Sequence, residues 1–435
     1  MNAFDSIIGY ETEKKELKRI CDMLIDEEKY KKLGVTCPAA LLIHGRPGLG
    51  KSLMARALAQ SSRRVVYSCS KNAPEGSFVN IIRETFENAA RNAPSVVLLD
   101  DMDKFAEDNG GSDSNKEEFV IIQTCLEEIA EKNKSVFVIA TANDIDDLPE
   151  SLLRAGRFGR QLHIKPPSIA DATRIIKAYL KNKPVSEDVS PELIANMIAG
   201  ESCAMLKEVL NEAGMYAGYE GESAIGRRHI LETIMKLVYH SRMEDNPDEE
   251  MLRIFSCHEA GHAVARLAGE TEVAFLSILF GQSGGICGVC RSVSDGWETP
   301  WSLEDLKKEI MIKLAGKAAE EVILGTVSFG AQSDLDEAVQ ELRIAVEKLM
   351  AFGFEYGYDF RRHDEKQACA RQEKVSDKIF AVLNEWYGET VEMIKDWRPV
   401  VEALMAGLIE NKYLLRDDVN RIVSAGRIDA GGPRG

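Results

Sequence analysis

Ala39-Ala40-Leu41-Leu42-Ile43-His44-Gly45-Arg46-Pro47-Gly48-Leu49-Gly50-Lys51-Ser52-Leu53 decides the fold of the first half of the chain. The apolar run at 39–44 reads as a buried strand, and 53–60 reads as a helix. Between them, Gly45 to Ser52 spells GxxxxGK[ST]. Glycines let successive backbone N–H groups curl round phosphates, and the helix N-terminus adds positive potential. Lys51 is then placed to reach the β- and γ-phosphates of a nucleotide, and Ser52 to hold Mg²⁺. Pro47 and Leu53 flank the same loop. A glycine-rich turn without a ligand is the bland alternative, and the strand before and helix after it argue against that.

Working outward, apolar runs at 64–69, 95–99, 135–140 and 161–165 read as four more strands, separated by helical segments. Alternating strands and helices predict a doubly wound parallel sheet. The third strand ends in Asp100-Asp101, an acidic pair suited to Mg²⁺ and an attacking water. The fourth runs into Thr141-Ala142-Asn143. A charged amphipathic helix is expected over 12–32. From residue 169 the pattern turns wholly helical to 240, and the polar, acidic stretch 241–250 reads as a linker.

After that linker comes His258-Glu259-Ala260-Gly261-His262, within a helix expected over 251–269. Histidines four apart share one helical face, so both imidazoles can reach one tetrahedral Zn²⁺. Glu259 beside them can take a proton from water and pass it to a leaving amine. The plain alternative is a helix with two surface histidines. Strands are expected at 273–280 and 285–292, then helices at 303–324, 334–352, 374–405 and 416–424, with a Gly/Pro tail at 429–435. Two histidines leave zinc one protein ligand short. Glu320, Glu321 and Asp334 are the candidates, and Ser333 with Asp336 makes a plausible helix start that fixes Asp334 in a first turn.

With 54 Lys+Arg against 71 Asp+Glu, a net charge of -17 argues against nucleic acid or an anionic membrane surface as the main partner. Nine irregularly spaced cysteines, an odd number, read as free thiols in a reducing, cytoplasmic compartment. Cys287 and Cys290 lack the second pair that a zinc knuckle needs. No apolar run is long enough for a membrane span.

The phosphate loop, the acidic strand end, Asn143 and Leu152-Leu153-Arg154-Ala155-Gly156-Arg157-Phe158 together resemble an AAA+ ATPase module. With HEAGH behind a helical lid, the chain resembles the FtsH family of ATP-dependent zinc metalloproteases from Phe4 to about Ser424. Leu314-Ala315-Gly316-Lys317-Ala318-Ala319-Glu320-Glu321 and Gly330-Ala331-Gln332-Ser333-Asp334 match as well. The resemblance implies an α/β AAA+ module (1–168, with a small all-α lid at 169–240), the linker, and a mostly α-helical zinc peptidase domain (251–428). It implies Zn²⁺, ATP and Mg²⁺ as cofactors, a homohexamer, polypeptide substrates and no nucleic acid. Residue by residue, Gly45, Gly48, Gly50, Lys51 and Ser52 match the phosphate loop, and Asp100 the Mg²⁺-associated acid. Asn143 matches the γ-phosphate sensor, and Arg154 and Arg157 the arginine fingers that reach a neighbour's nucleotide. Asp334 matches the third zinc ligand, and Ile8 and Gly9 are expected near the adenine.

Three departures stand out. Asp101 replaces the usual second glutamate and is one methylene shorter, so slow ATP turnover is expected. The family's N-terminal membrane segment has no counterpart, as in a soluble member or a chain stripped of its anchor at the cytoplasmic face of a membrane. Where the family's pore loop carries an aromatic–aliphatic–glycine triplet, this chain has Pro74-Glu75-Gly76, with Phe78 as a substitute if the register shifts. The expected function is therefore an ATP-dependent zinc endopeptidase with weakened unfolding. The alternatives are a nucleotide-switched holdase with a vestigial peptidase, or a peptidase for unfolded substrates whose ring ATP merely holds together.

Overall fold

The structure, a computed structural model, describes residues 3–35, 37–70, 78–106, 117–132, 135–242, 248–281, 286–292, 302–356 and 365–429. The chain divides into two compact units, Met1–Val185 with Ala199–Glu212, and Ser186–Ile198 with Ala213–Gly435.

In the first unit, α1 (Glu11–Ile25) and the short α2 (Glu27–Lys31) precede the sheet. One continuous helix was expected there. Asp26 interrupts it: its carboxylate accepts from Lys29 N at 3.1 Å and caps a second start. Then follow β1 (Ala40–His44), α3 (Lys51–Ser61), β2 (Val65–Cys69), α4 (Phe78–Arg91), β3 (Ser95–Leu99), α5 (Glu117–Glu131), β4 (Val136–Ala142) and β5 (Gln161–His163). All five strands pair in parallel, in the order β2-β3-β4-β1-β5. β3 and β4 are buried along their whole length. Strands covered on both faces need apolar residues at every position, which is why these two read as unbroken apolar runs. The edge strands β2 and β5 are largely exposed. Phe78, Phe86, Phe105, Phe119 and Phe158 fill the core on one side of the sheet.

The expected lid helices are α6 (Ile169–Leu180), α7 (Pro191–Met197), α8 (Cys203–Tyr219) and α9 (Arg227–Leu237). The compact units divide these helices between them and do not follow boundaries at 168 and 250. α6 and the start of α8 belong with the sheet, because Ala204 N donates to Gly48 O of the phosphate loop at 3.0 Å. α7, α9 and the end of α8 belong to the second unit.

The second unit contains β6 (Ser241–Arg242), α10 (Glu249–Ala268), β7 (Val273–Gly281), β8 (Ile286–Ser292), α11 (Leu303–Ala319), α12 (Gln332–Glu347), α13 (Glu365–Asp396), α14 (Arg398–Asn411), β9 (Tyr413–Leu415) and α15 (Arg416–Asp429). Ser241 and Arg242, expected as linker, pair with β7, which also pairs antiparallel with β8 and β9. Among the described residues β8 is paired along one edge only. The three-residue β9 was not foreseen. The helix expected over 374–405 is two helices, because Pro399 cannot donate within a continuing helix and sits instead in the first turn of α14. α10 is buried from Ser256 to Ala265, and its α10–α11 crossing is close. A Cβ on Gly261 would come within 2.4 Å of Ala315 O. The glycine inside HEAGH is thus a packing requirement.

Candidate nucleotide and metal centres

The phosphate loop leaves β1 and enters α3 with Gly45, Gly48 and Gly50 at φ 144, 78 and 88. These are conformations that residues with a Cβ rarely adopt. A Cβ on Gly45 would also meet Ile164 O at 2.2 Å. Lys51 is 6% exposed, and its ammonium donates to Arg46 O at 3.0 Å and Asn143 Oδ1 at 2.9 Å. Burial holds the Lys51 pKa below its ordinary value, against the opposing pull of Asp101 and Asp103. Asn143 in turn donates to Asp103 Oδ2 at 2.9 Å.

Ser52 Oγ donates to Asp100 Oδ1 at 2.7 Å, and Thr141 Oγ1 donates to the same oxygen at 2.8 Å. Arg56 donates to Asp100 Oδ2 at 3.0 Å. Burial would raise the Asp100 pKa, yet these donors together hold it below the ordinary value. Two groups predicted for Mg²⁺ are therefore in direct contact. Asp101 lies apart: it adopts a positive φ of 55 and its carboxylate pairs with Lys104 at 2.9 Å. Thr141, Asp103 and Arg56 were missed by sequence reasoning, although Thr141 lies on β4 only two residues before Asn143, which follows the strand's end.

Pro47 and Leu53 are exposed on the loop and the first turn of α3. Ile8 is half-buried, and buried Gly9 (φ 71) packs so tightly on Asp171 that a Cβ would lie 2.7 Å from Asp171 Oδ1. Arg157 is engaged, donating to Ser151 O and pairing with Glu127. Arg154 is exposed. Pro74, Glu75 and Gly76 lie outside the described residues. Phe78 is only 3% exposed and packs edge-on against Phe105, with ring centroids 4.8 Å apart. A side chain that grips a passing polypeptide has to be exposed, and Phe78 is instead a core residue.

In the second unit His258 and His262 are 4% and 9% exposed, which disposes of the surface-histidine alternative. Asp248 caps α10 by accepting from Glu250 N at 3.0 Å. His262 Nδ1 faces Ile312 O at 2.7 Å, and His258 Nδ1 faces Glu320 Oε1 at 2.7 Å. Both partners only accept, so each Nδ1 carries a proton and each Nε2 presents a lone pair. Those two Nε2 atoms lie 3.0 Å apart, with Asp334 Oδ2 at 3.0 and 3.3 Å. Three electron-rich atoms this close repel one another unless a cation lies among them. Two imidazoles and a carboxylate are also the donor set of an open catalytic zinc site, whose ligand atoms stand about 3.3 Å apart in tetrahedral geometry. The residues fit the metal. Without it a proton serves instead: burial disfavours charge on His258, but Asp334 and Glu320 outweigh it and raise its pKa to about 10. Asp334 moves oppositely, because hydrogen bonds from both histidines outweigh its burial and lower its pKa.

Asp334 stands in the first turn of α12, as expected, although the helix starts one residue before Ser333 and its N-cap position makes no side-chain cap. Glu320 is not at the convergence point. Completely buried in a π-helical turn, Glu320–Leu324, it holds the far nitrogen of His258. Ser328 fastens Glu320 in turn through N at 2.5 Å and Oγ at 2.9 Å. Glu321 points elsewhere, to Tyr387 at 2.6 Å and Lys317 at 3.2 Å. Glu259 is 5% exposed, and burial pushes its pKa above the ordinary value. His258, Glu259, His262, Asp334, Arg266 and Cys290 share the wall of one cavity of about 320 Å³. Gly316 escaped sequence reasoning: a Cβ there would lie 2.4 Å from His258 Cε1, so only glycine leaves room for the imidazole.

Residues 41–166 match the model of the ATPase family associated with various cellular activities, and residues 246–422 match peptidase family M41. An ATP-dependent zinc metalloprotease FtsH from Caldicellulosiruptor bescii is 30% identical, covering 97% of this chain and 72% of that protein. The chain belongs to the FtsH family. Proteins of the same name from Thermus thermophilus and Streptococcus pneumoniae are 28% and 27% identical, each over 98% of this chain and 71% and 68% of their own length. The fold agrees with this membership: a parallel AAA-type sheet in one unit and a mostly helical M41-type peptidase in the other. Among the described residues of this FtsH-family chain, no helix is long and apolar enough to cross a membrane.

Proposed function

We propose that this FtsH-family chain is an ATP-dependent zinc endopeptidase that degrades polypeptides as a homohexameric ring. The observation that carries the reading is the convergence of His258 Nε2, His262 Nε2 and Asp334 Oδ2 beside buried Glu259. These three residues would hold zinc, which supplies Lewis-acid chemistry at that point when bound. Glu259 takes the proton of the attacking water and returns it to the departing amine. A basicity above the usual carboxylate range suits that exchange. Glu320 orients His258 without binding metal. The edge of β8 that is unpaired among the described residues suits a substrate added as an extra strand through backbone bonds, a mode tolerant of sequence.

In the first unit Gly45, Gly48, Gly50 and Lys51 cradle the phosphates, with Pro47, Leu53, Ile8 and Gly9 around the nucleotide. Ser52 and Asp100 would hold Mg²⁺, and Asn143, which accepts from Lys51, would sense the γ-phosphate. The hexamer is proposed with the fingers: in a ring Arg154 and Arg157 would reach the nucleotide of a neighbouring subunit. Weak unfolding is part of the proposal, because Pro74-Glu75-Gly76 supplies no aromatic grip and six copies of Glu75 would make an acidic collar. Unpaired cysteines, seven among the described residues, favour a reducing compartment, the cytoplasm or the cytoplasmic face of a membrane. The test is casein hydrolysis by the purified chain with ATP, without ATP and with a zinc chelator. Loss of cleavage with the chelator and slowing without ATP is the expected result. Chelator-insensitive cleavage, or none under any condition, would defeat the proposal.

A further inference from the structure

We propose that Arg266 recognises a carboxylate on the peptide beside the bond being cut, an inference that rests on the peptidase reading above. Arg266 lies one helical turn beyond His262 and two beyond Glu259, so α10 presents it on the face that carries the metal-site residues. It lines the same cavity of about 320 Å³, next to Cys290 of β8. Its side chain thus shares the cavity with the catalytic carboxylate and with Cys290 of the strand along which a substrate would run. Its Nε is buried and has no hydrogen-bond partner among the described residues, and its side-chain neighbour in the cavity is the weakly accepting Cys290 thiol. Glu259 feels it only through space, and the half-buried Cys290 is kept as a neutral thiol by its apolar surroundings, although Arg266 hydrogen-bonds to it, which leaves Arg266 without a charged partner there. The other cation of the cavity, Lys313, is occupied by Glu337 at 2.6 Å and Glu341 at 3.5 Å. A buried donor left without a partner is costly, and a planar guanidinium matches a carboxylate. Two sources supply that group at this position, an Asp or Glu side chain flanking the scissile bond or the free C-terminus of a short peptide. The protein's own charge of -17 repels acidic peptides, so a preference for them would have to arise locally.

The experiment uses the full chain with ATP and internally quenched peptides that differ only in Glu or Gln on either side of the scissile bond, each with a free or an amidated C-terminus. The Glu peptide, or the free-acid peptide, should be cleaved with about tenfold higher kcat/KM than its neutral counterpart, carried mainly by KM. The Glu259→Gln protein should bind the same peptides with the same ratio in fluorescence anisotropy, a readout independent of turnover. Arg266→Gln should collapse the ratio in cleavage, and Arg266→Lys should keep part of it. A ratio near one in the unmodified protein, or one that survives in Arg266→Gln, overturns the inference while leaving the peptidase intact. Failure to cleave any of the peptides would instead strike at the peptidase reading itself.

Discussion

At His258 one imidazole is held from both sides, by Glu320 on Nδ1 and Asp334 on Nε2, and the two acids do different work. Asp334→Ala removes a proposed ligand and should abolish zinc retention through dialysis, read as metal per chain. Glu320→Gln keeps a group on Nδ1 but no longer one that only accepts, so zinc affinity should fall about 10- to 100-fold. Glu321→Ala should change nothing, since its carboxylate is spent on Tyr387 and Lys317. Glu259→Gln should bind zinc normally and cleave nothing. Proton competition supplies a further check. Metal-free His258 has its pKa raised to about 10, so below that pH zinc must displace a proton. Competition titration should therefore show about tenfold tighter zinc binding at pH 8 than at pH 7; the same constant at both would mean His258 is not protonated in the free site. In the ATPase unit, the Asp101 carboxylate is paired with Lys104. Asp101→Glu restores one methylene of reach, and ATP turnover should rise.

The crossing of α10 and α11 shows how much of the site lies in packing. HEAGH was legible because histidine spacing on one helix is a local pattern, whereas Asp334, on another helix, was chosen over Glu320 and Glu321 through the family resemblance. Gly316 and the orienting role of Glu320 were not legible, because they depend on how a second helix passes the first. Gly316→Ala drives a methyl into the His258 ring, and Gly261→Ala drives one into the Ala315 carbonyl. Overpacking of this kind costs about 1–3 kcal/mol. Gly261→Ala should lower the unfolding temperature of the zinc-bound chain by several degrees, about 2–4 °C per kcal/mol in a unit of this size. Gly316→Ala should in addition lose zinc, since the displaced imidazole is one of the proposed ligands. An unchanged metal content in Gly316→Ala would show that the helices separate without turning the imidazole. Elsewhere the apolar runs located β3 and β4 because strands buried on both faces carry an unmistakable composition, while the exposed edges β2 and β5 were placed by their alternation with helices. The helix breaks at Asp26 and Trp397 were blurred, since periodicity alone runs through a cap or a first-turn proline. The strand at 413–415 was invisible because three residues carry no period.

For the whole molecule, the order of motifs was the legible part: a phosphate loop, an acidic strand end, two arginines and a zinc helix in one chain. Division of the lid helices between the two units was not legible, because helices at 169–237 look alike in sequence whichever unit they join. The ring is where chemistry and assembly meet. Lys51→Ala leaves phosphate charge uncompensated and should abolish ATP turnover, while its own Arg154 and Arg157 stay intact. Arg154→Ala should bind nucleotide normally and lose turnover by about a thousandfold or more, as removal of an arginine finger does. Arg157→Ala should lose turnover too, but with a lower unfolding temperature, because Arg157 ties Ser151 to Glu127 within its own subunit. Neither Lys51→Ala nor Arg154→Ala can work alone. Mixed after dissociation and allowed to reassemble, the two should recover ATP turnover well above the sum of the separate proteins, because a Lys51→Ala subunit can lend its finger to a neighbour that binds ATP. A finger acting within its own subunit would leave the mixture as inactive as its parts, and the hexameric ring would lose its chemical justification.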